Sequence, residues 1–384
     1  MILYIAYYTG ANAPSSIPYN FGGTSKIDFL IDEFTRIDDV VVYSLAPTLS
    51  SKTLQTTTAT FSKNGHKFIE NYPKCRRSKF KIVNKLLNVA FKKKLTRLVK
   101  NDLRQNPQST IILYHSLLNL KMENDLLKSF PENSILEVED VYSKTFGHIV
   151  PRFKKKEKNE MTLISHYKRC IFVNDLEQGY FKTEKALVSY GVLGSSSEKN
   201  DKQDAKTLLY AGIIDHQTGA AEFATEMMRF LPADYQLNIC GGGSKQSLGF
   251  LIKKIQEVNK ELGRTAVAYC GLLSGDDLVA MYVNSSLGLC IENTPPSPDR
   301  EFFSFHSKIL RYFSYGIPVV ATDFESEKQS RFANLITFIP KTASAKTAAE
   351  IIMTSTFPNQ QQLKNKMDSE LDFFRCQMVN FLAK

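Results

Sequence analysis

Three side chains of the first half, His115, Glu139 and Asp140, stand at the ends of runs that read as buried β-strands, Thr110 to His115 and Ile135 to Val138. Open α/β sheets gather ligands at the carboxyl ends of their strands, and a carboxylate or imidazole placed there can take a proton from an attacking group. Each also has a plainer reading: Asp140 and Glu139 as loop-capping or salt-bridged acids, His115 as a strand-end histidine with its bonds satisfied. In the second half Lys308 follows Ser307 at the start of a short helix, Ser307 to Tyr315. The unpaired N–H groups and positive dipole end of a helix favour an anion, and Lys308 adds a charge at the same place. Gly22-Gly23 and Gly241-Gly242-Gly243 close loops, where glycine lets a backbone approach a ligand or simply turn. No His, Cys and carboxylate spacing resembles a metal site, so neither metal nor cofactor is expected.

These residues need a scaffold, and the hydrophobic pattern supplies one. Ile2 to Tyr8, Val40 to Ala46, Thr110 to His115, Ile135 to Val138, Cys170 to Val173 and Ala186 to Ser189 are short β-rich runs separated by helical or loop segments. A Ser/Thr-rich loop follows Ala46, and a polar loop runs from Thr9 to Gly23 before a helical pattern. The alternation restarts at Thr207 to Ile213 and continues through Tyr235 to Cys240, Ala266 to Leu273, Leu287 to Ile291, Pro318 to Thr322 and Leu335 to Ile339. Strand, helix, strand in repetition predicts parallel α/β sheets, here two Rossmann-like halves. The small and polar stretch 194–204 reads as a linker between domains 1–193 and 205–362. A last amphipathic helix, 363–384, carries Leu363, Met367, Leu371, Phe374, Met378 and Phe381 on one face.

The stretch Ser307-Lys-Ile-Leu-Arg-Tyr-Phe-Ser-Tyr-Gly-Ile-Pro-Val-Val-Ala-Thr-Asp323 resembles the donor-site signature of GT-B glycosyltransferases, especially family 4 and its lipid-carrier-dependent relatives. Tyr210-Ala-Gly-Ile-Ile, Ile239-Cys-Gly-Gly-Gly and Tyr269-Cys-Gly-Leu-Leu follow that family's order. The resemblance implies two Rossmann-like domains with parallel sheets facing a central cleft, and a C-terminal helix crossing back to the N-terminal domain. It implies a metal-independent hexosyltransferase that holds a nucleotide-sugar, with Gly241, Gly242, Gly271, Glu301, His306, Ser307, Lys308, Ile309 and Arg311 around the donor. Gly22 and Gly23 match a loop near the donor phosphates and acceptor. Asp140, then Glu139, then His115 are the candidates to accept the acceptor's proton. There are departures: Arg311 and Phe303 occupy the positions of the family's two glutamates, and Ile213 and Thr218 those of its Arg and Lys. Gly241 to Gly243 lack the further glycine and ribose-binding acid of a dinucleotide loop.

Charge points to a partner. The 384-residue chain carries 49 Lys and Arg against 39 Asp and Glu, a net +10, and the excess is uneven. Segment 74–100 holds eleven Lys or Arg and no acid, interleaved with Phe80, Val83, Leu86, Leu87, Ala90, Phe91, Leu95 and Leu98. A basic amphipathic helix of this kind fits an anionic membrane surface through Arg76, Arg77, Lys79, Lys92, Lys93 and Lys94. Its alternative is a solvated helix whose apolar stripe packs on its own domain. Arg152-Phe-Lys-Lys-Lys156 extends the basic surface. Nucleic acid is not expected, since stacking aromatics and a recognition motif are missing. The six scattered cysteines read as reduced core residues. The N-terminus reads as a strand rather than a targeting segment, and no run is long enough to span a bilayer.

Together these readings give a cytoplasmic enzyme on the inner face of the plasma membrane. The resemblance implies a UDP-sugar donor and, with the basic segment, an acceptor that is a lipid-linked glycan of bacterial surface polysaccharide assembly. A GT-B-like partner that has lost catalysis, and a peripheral membrane or nucleic-acid binder, are the alternatives.

Overall fold

The computed structural model describes residues 1–10, 13, 21–46, 57–73, 78, 80–198, 206–293 and 297–383. It divides into two units, Met1–Val192 with Phe374–Lys384, and Leu193–Phe373. The crossover helix runs Gln360–Leu382, so only its last part belongs to the first unit.

The first unit is built on β1 (Ile2–Ala6), β2 (Val40–Ser44), β3 (Thr57–Lys63), β4 (His66–Tyr72), β5 (Thr110–Tyr114), β6 (Ser134–Val138), β7 (Arg169–Phe172) and β8 (Lys185–Val188). They lie in the order β3-β4-β2-β1-β5-β6-β7-β8. All neighbours are parallel except β3 and β4. Every residue of β1, β2, β6 and β7 is buried, as a parallel sheet covered on both faces requires. The β3–β4 hairpin replaces part of the expected Ser/Thr-rich loop. Its turn is Asn64-Gly65, with φ of 52° and 84°, the two left-handed residues of a tight hairpin. Asn64 Nδ2 donates to the Asp32 carbonyl at 2.9 Å and Thr35 Oγ1 at 3.0 Å, pinning the turn to the helix Phe21–Phe34. Near the end of that helix Glu33 receives Arg375 in a bidentate pair at 2.7 and 2.9 Å, which anchors the C-terminal stretch.

The basic segment forms the helix Lys81–Gln105, and the two readings of it apply to different halves. Leu95, Val99 and Leu103 are buried in the unit's core, whereas Phe80, Ile82, Leu86 and Val89 are more than half exposed. Arg76, Arg77 and Lys79 lie outside the described residues. No helix among the described residues is long and apolar enough to cross a membrane.

The second unit has β9 (Thr207–Ala211), β10 (Gln236–Cys240), β11 (Val267–Tyr269), β12 (Leu287–Cys290), β13 (Val319–Thr322) and β14 (Ile336–Ile339). The order is β11-β10-β9-β12-β13-β14, all parallel. The signature helix runs Lys308–Ser314 and ends before Gly316, whose φ of 72° is the left-handed stop expected there. Tyr312 fixes it to the sheet: its hydroxyl donates to the Leu209 carbonyl and accepts from the Ala211 N–H, both at 3.0 Å. Gly288 on β12 leaves room for that ring, since a Cβ there would come within 2.4 Å of it. The first part of the expected linker is held fast rather than loose. Ser195 bonds Asp368 through N–H and hydroxyl at 2.8 and 2.9 Å, and the Ser196 N–H donates to the Ser314 carbonyl at 2.7 Å.

Among the described cysteines, Cys170, Cys240 and Cys290 are buried and free, as expected, but Cys376 is exposed on the last helix.

Candidate functional site

In the first unit the acidic candidates collect at the carboxyl end of β6. Glu137, the next-to-last residue of the strand, is buried and accepts the Tyr4 hydroxyl. Burial, then the neighbouring Glu139 carboxylate, pushes its carboxyl up to about 8, so it stays protonated at neutral pH. Glu139 forms an ion pair with the nearly buried Lys26, which rises from the helix Phe21–Phe34. Asp140, one residue on, is half-exposed. Its charge bears on the Tyr114 and Tyr142 hydroxyls, whose ionisation burial already opposes.

His115 is not placed as a base. It is fully buried, with Nδ1 2.9 Å from Glu123 Oε2 and Nε2 3.0 Å from Glu160 Oε1. Burial alone would lower its pKa, but the two carboxylates outweigh that and raise it to about 10. Both ring nitrogens therefore donate, and neither has a lone pair for an acceptor proton. The carboxylates are themselves held: the Ser116 N–H donates to Glu123 at 3.0 Å and the Ser143 N–H to Glu160 at 2.8 Å.

Gly22 and Gly23 fall in the first turn of the helix Phe21–Phe34 rather than at the end of a loop.

In the second unit the signature residues gather beyond β9, β12 and β13. Lys308, at the first helical position, sets its Nζ 4.9 Å from the Tyr210 ring centroid. Burial works against its charge, but Cys290, Tyr210, Glu292 and Glu327 outweigh that and hold its pKa above the ordinary lysine value. A Cβ at Gly212, just after β9, would lie 3.7 Å from the ammonium, an ordinary contact. His306 pairs through Nδ1 with buried Glu327 and through Nε2 with Glu292 at 3.2 Å. Despite burial these carboxylates raise it to about 9, so at neutral pH it is an imidazolium. Glu292 also pairs with Arg300. Ser307 is exposed beside Lys308, and Ile309 is buried behind it.

Two expected donor residues are engaged by other side chains. Arg311 lies over Tyr315 and Tyr282, 5.2 and 5.9 Å from their centroids, because those rings stack 4.9 Å apart along its side of the helix. Glu301 forms an ion pair with Lys341. Glu292, Arg300 and Glu327 were not expected from sequence. Only the position of Glu292, just past a buried strand run, could have pointed to it.

The glycines divide. Gly241 has φ 148°, and a Cβ would lie 1.7 Å from the Gly212 carbonyl oxygen; Gly243 meets Ile214 in the same way at 2.2 Å. Both serve the close crossing of the loops after β9 and β10, which the Ile214 N–H seals by donating to the Gly242 carbonyl at 2.9 Å. Gly271 has φ 80° and open space around it. Gly241→Ala is expected to cost about 3 kcal/mol. Gly242→Ala, whose Cβ would meet only Leu272 at 3.6 Å, should stay within about 0.5 kcal/mol. Urea unfolding of the two variants checks the contrast.

Cys290, His306 and Glu327 bring their donor atoms within 4.8 Å of one another. As a metal site the set is poor: burial pushes the Cys290 thiol up, away from thiolate. Both His306 nitrogens are engaged, and Lys308 and Arg300 already balance the carboxylates. The chemistry this cluster offers is cationic, a half-buried ammonium backed by a fixed imidazolium.

No protein-family model matches the chain, and no curated protein matches its sequence. Solved structures do match over its full length. The α,α-trehalose-phosphate synthase (UDP-forming) of Burkholderia xenovorans, in complex with glucose-6-phosphate, is 10% identical with a TM-score of 0.65, covering 99% of each chain. Anabaena HepE in complex with UDP and glucose is 12% identical at 0.65, covering 100% of this chain and 99% of that one. Sucrose-phosphate synthase of Thermosynechococcus elongatus is 13% identical at 0.64, covering 98% and 97%. At these identities the likeness establishes the fold, that of the GT-B glycosyltransferases.

Proposed function

We propose, from a GT-B fold matched along the whole chain, that this protein is a glycosyltransferase. It moves a sugar from a nucleotide-sugar to a glycan acceptor without a metal. The observation that carries this reading is Lys308, a half-buried ammonium over the Tyr210 ring, at the carboxyl end of the second sheet. There it stabilises the leaving nucleoside diphosphate, helped by the imidazolium of His306 behind it. UDP is the favoured nucleotide, since similar folds have been solved with UDP or are described as UDP-forming.

If the transfer inverts the anomeric centre, Asp140 of the first unit takes the acceptor's proton. Glu139 is spent on Lys26, and His115 has no free lone pair. The acceptor is a lipid-linked glycan of the kind assembled into bacterial surface polysaccharide, at the inner face of the plasma membrane. The exposed apolar residues Phe80, Ile82, Leu86 and Val89, set among lysines, support that setting.

A thermal-shift panel with UDP, GDP, ADP and CMP tests the donor site. Excess UDP at about 100 times its Kd should stabilise the fold by about 2.7 kcal/mol, and Lys308→Ala should abolish the response. No shift with any nucleotide would favour a GT-B-like binding partner without catalysis.

A further inference from the structure

Beside the proposed acceptor end of the first unit, the helix Lys81–Gln105 and the helix Leu120–Ser129 enclose a groove of about 600 Å³. That lies within the range of small-ligand pockets, about 300–1,000 Å³. Val89, Leu118 and Met122 make its apolar floor, and Leu118 is 70% exposed. Lys85, Lys93, Arg97 and Lys121 rim it, with Asp125 the one acid among its lining residues.

Three further lysines fix this geometry rather than offering charge. Lys92 donates to the Leu118 carbonyl, Lys156 to the Leu117 carbonyl at 3.1 Å, and Lys100 to Ser129 Oγ at 2.7 Å. The two basic clusters of the sequence thus meet on one short loop. That loop lies just past the end of β5, and Asp140 two residues past the end of β6, the strand paired with β5. A ligand in the groove therefore lies beside the sheet end that carries the proposed base.

We infer that this groove binds the head of a lipid phosphate. Lys93, Arg97 and Lys121 hold the phosphate, and the first part of the chain lies on Val89, Leu118 and Met122. This rests on the lipid-linked acceptor proposed above and adds where its carrier is gripped. Free phosphate would leave the apolar floor in water, and an uncharged lipid would leave the cationic rim unmatched. Lys93 and Arg97 are exposed, so their exchange does not disturb the core.

Flotation with phosphatidylcholine vesicles doped with farnesyl phosphate tests the inference against vesicles doped with phosphatidylglycerol to the same surface charge. Binding should be about tenfold tighter to farnesyl phosphate, a difference of about 1.4 kcal/mol. Lys93→Glu with Arg97→Glu, and separately Leu118→Asp, should each erase that preference, while inorganic phosphate should not compete. Equal binding to both vesicles would reduce the groove to part of a generally anionic-surface-seeking face. Displacement by inorganic phosphate would make it an anion site only, and unchanged variants or no binding would also overturn the inference. Lys308→Ala keeps the lipid preference if the groove is independent of the donor site. A missing UDP response with the preference intact would count against the donor reading alone.

Discussion

Asp140→Asn is expected to lower transfer from a UDP-hexose to a lipid-linked sugar by about a thousandfold, the middle of the range for a lost general base. The variant should still be stabilised by UDP, because the cationic cluster around Lys308 is untouched. UDP release with and without acceptor, together with the thermal shift, separates the two effects. The contrast with Glu139→Gln adds force. Removing the charge that pairs with Lys26 strands a nearly buried ammonium, so that variant should lose stability first and activity only as a consequence. If Asp140→Asn retains more than about a tenth of the wild-type rate, Asp140 is not the base.

His115→Ala should be strongly destabilising. It leaves Glu123 and Glu160 buried without their cation, at a cost of about 3–5 kcal/mol. The pH dependence gives the sign. His115 has a raised native pKa of about 10 against an ordinary 6.5. Its charge therefore contributes fully below the unfolded value, and the contribution is lost as pH rises through the native one. The stability gap between wild type and variant, measured by urea unfolding, should narrow from pH 7 towards pH 10. A gap that is constant across that window would mean the imidazole is neutral in the fold.

The sheets were legible because their strands are buried on both faces and so read as unbroken apolar runs bounded by polar loops; β1, β6 and β12 needed nothing more. The hairpin was missed because β3 is an exposed, Thr-rich edge in which Phe61 is the one large apolar residue, although Asn64-Gly65 between extended runs was its signature. The site was legible only in part. Lys308 announced itself by its place at a helix start, but its surroundings are tertiary facts. His115 meets carboxylates 8 and 45 residues away, and His306 meets them 14 and 21 residues away. Nothing local marks such partners, so a histidine at a strand end looked like a base when it is a clamped cation. Gly241 looked ligand-facing for the same reason, since the Gly212 carbonyl that excludes its Cβ comes from a different strand end.

The bidentate bond from Arg375 to Glu33 also bears on how the chain is made. Glu33 sits near the end of the first helix, almost wholly buried, and its partner stands 342 residues further along the chain. The first unit cannot close until Arg375 has been made, so the chain of the second, Leu193–Phe373, is already complete when the first closes. Folding by this route runs against the usual amino-to-carboxyl order, because the amino-terminal unit is the one that waits.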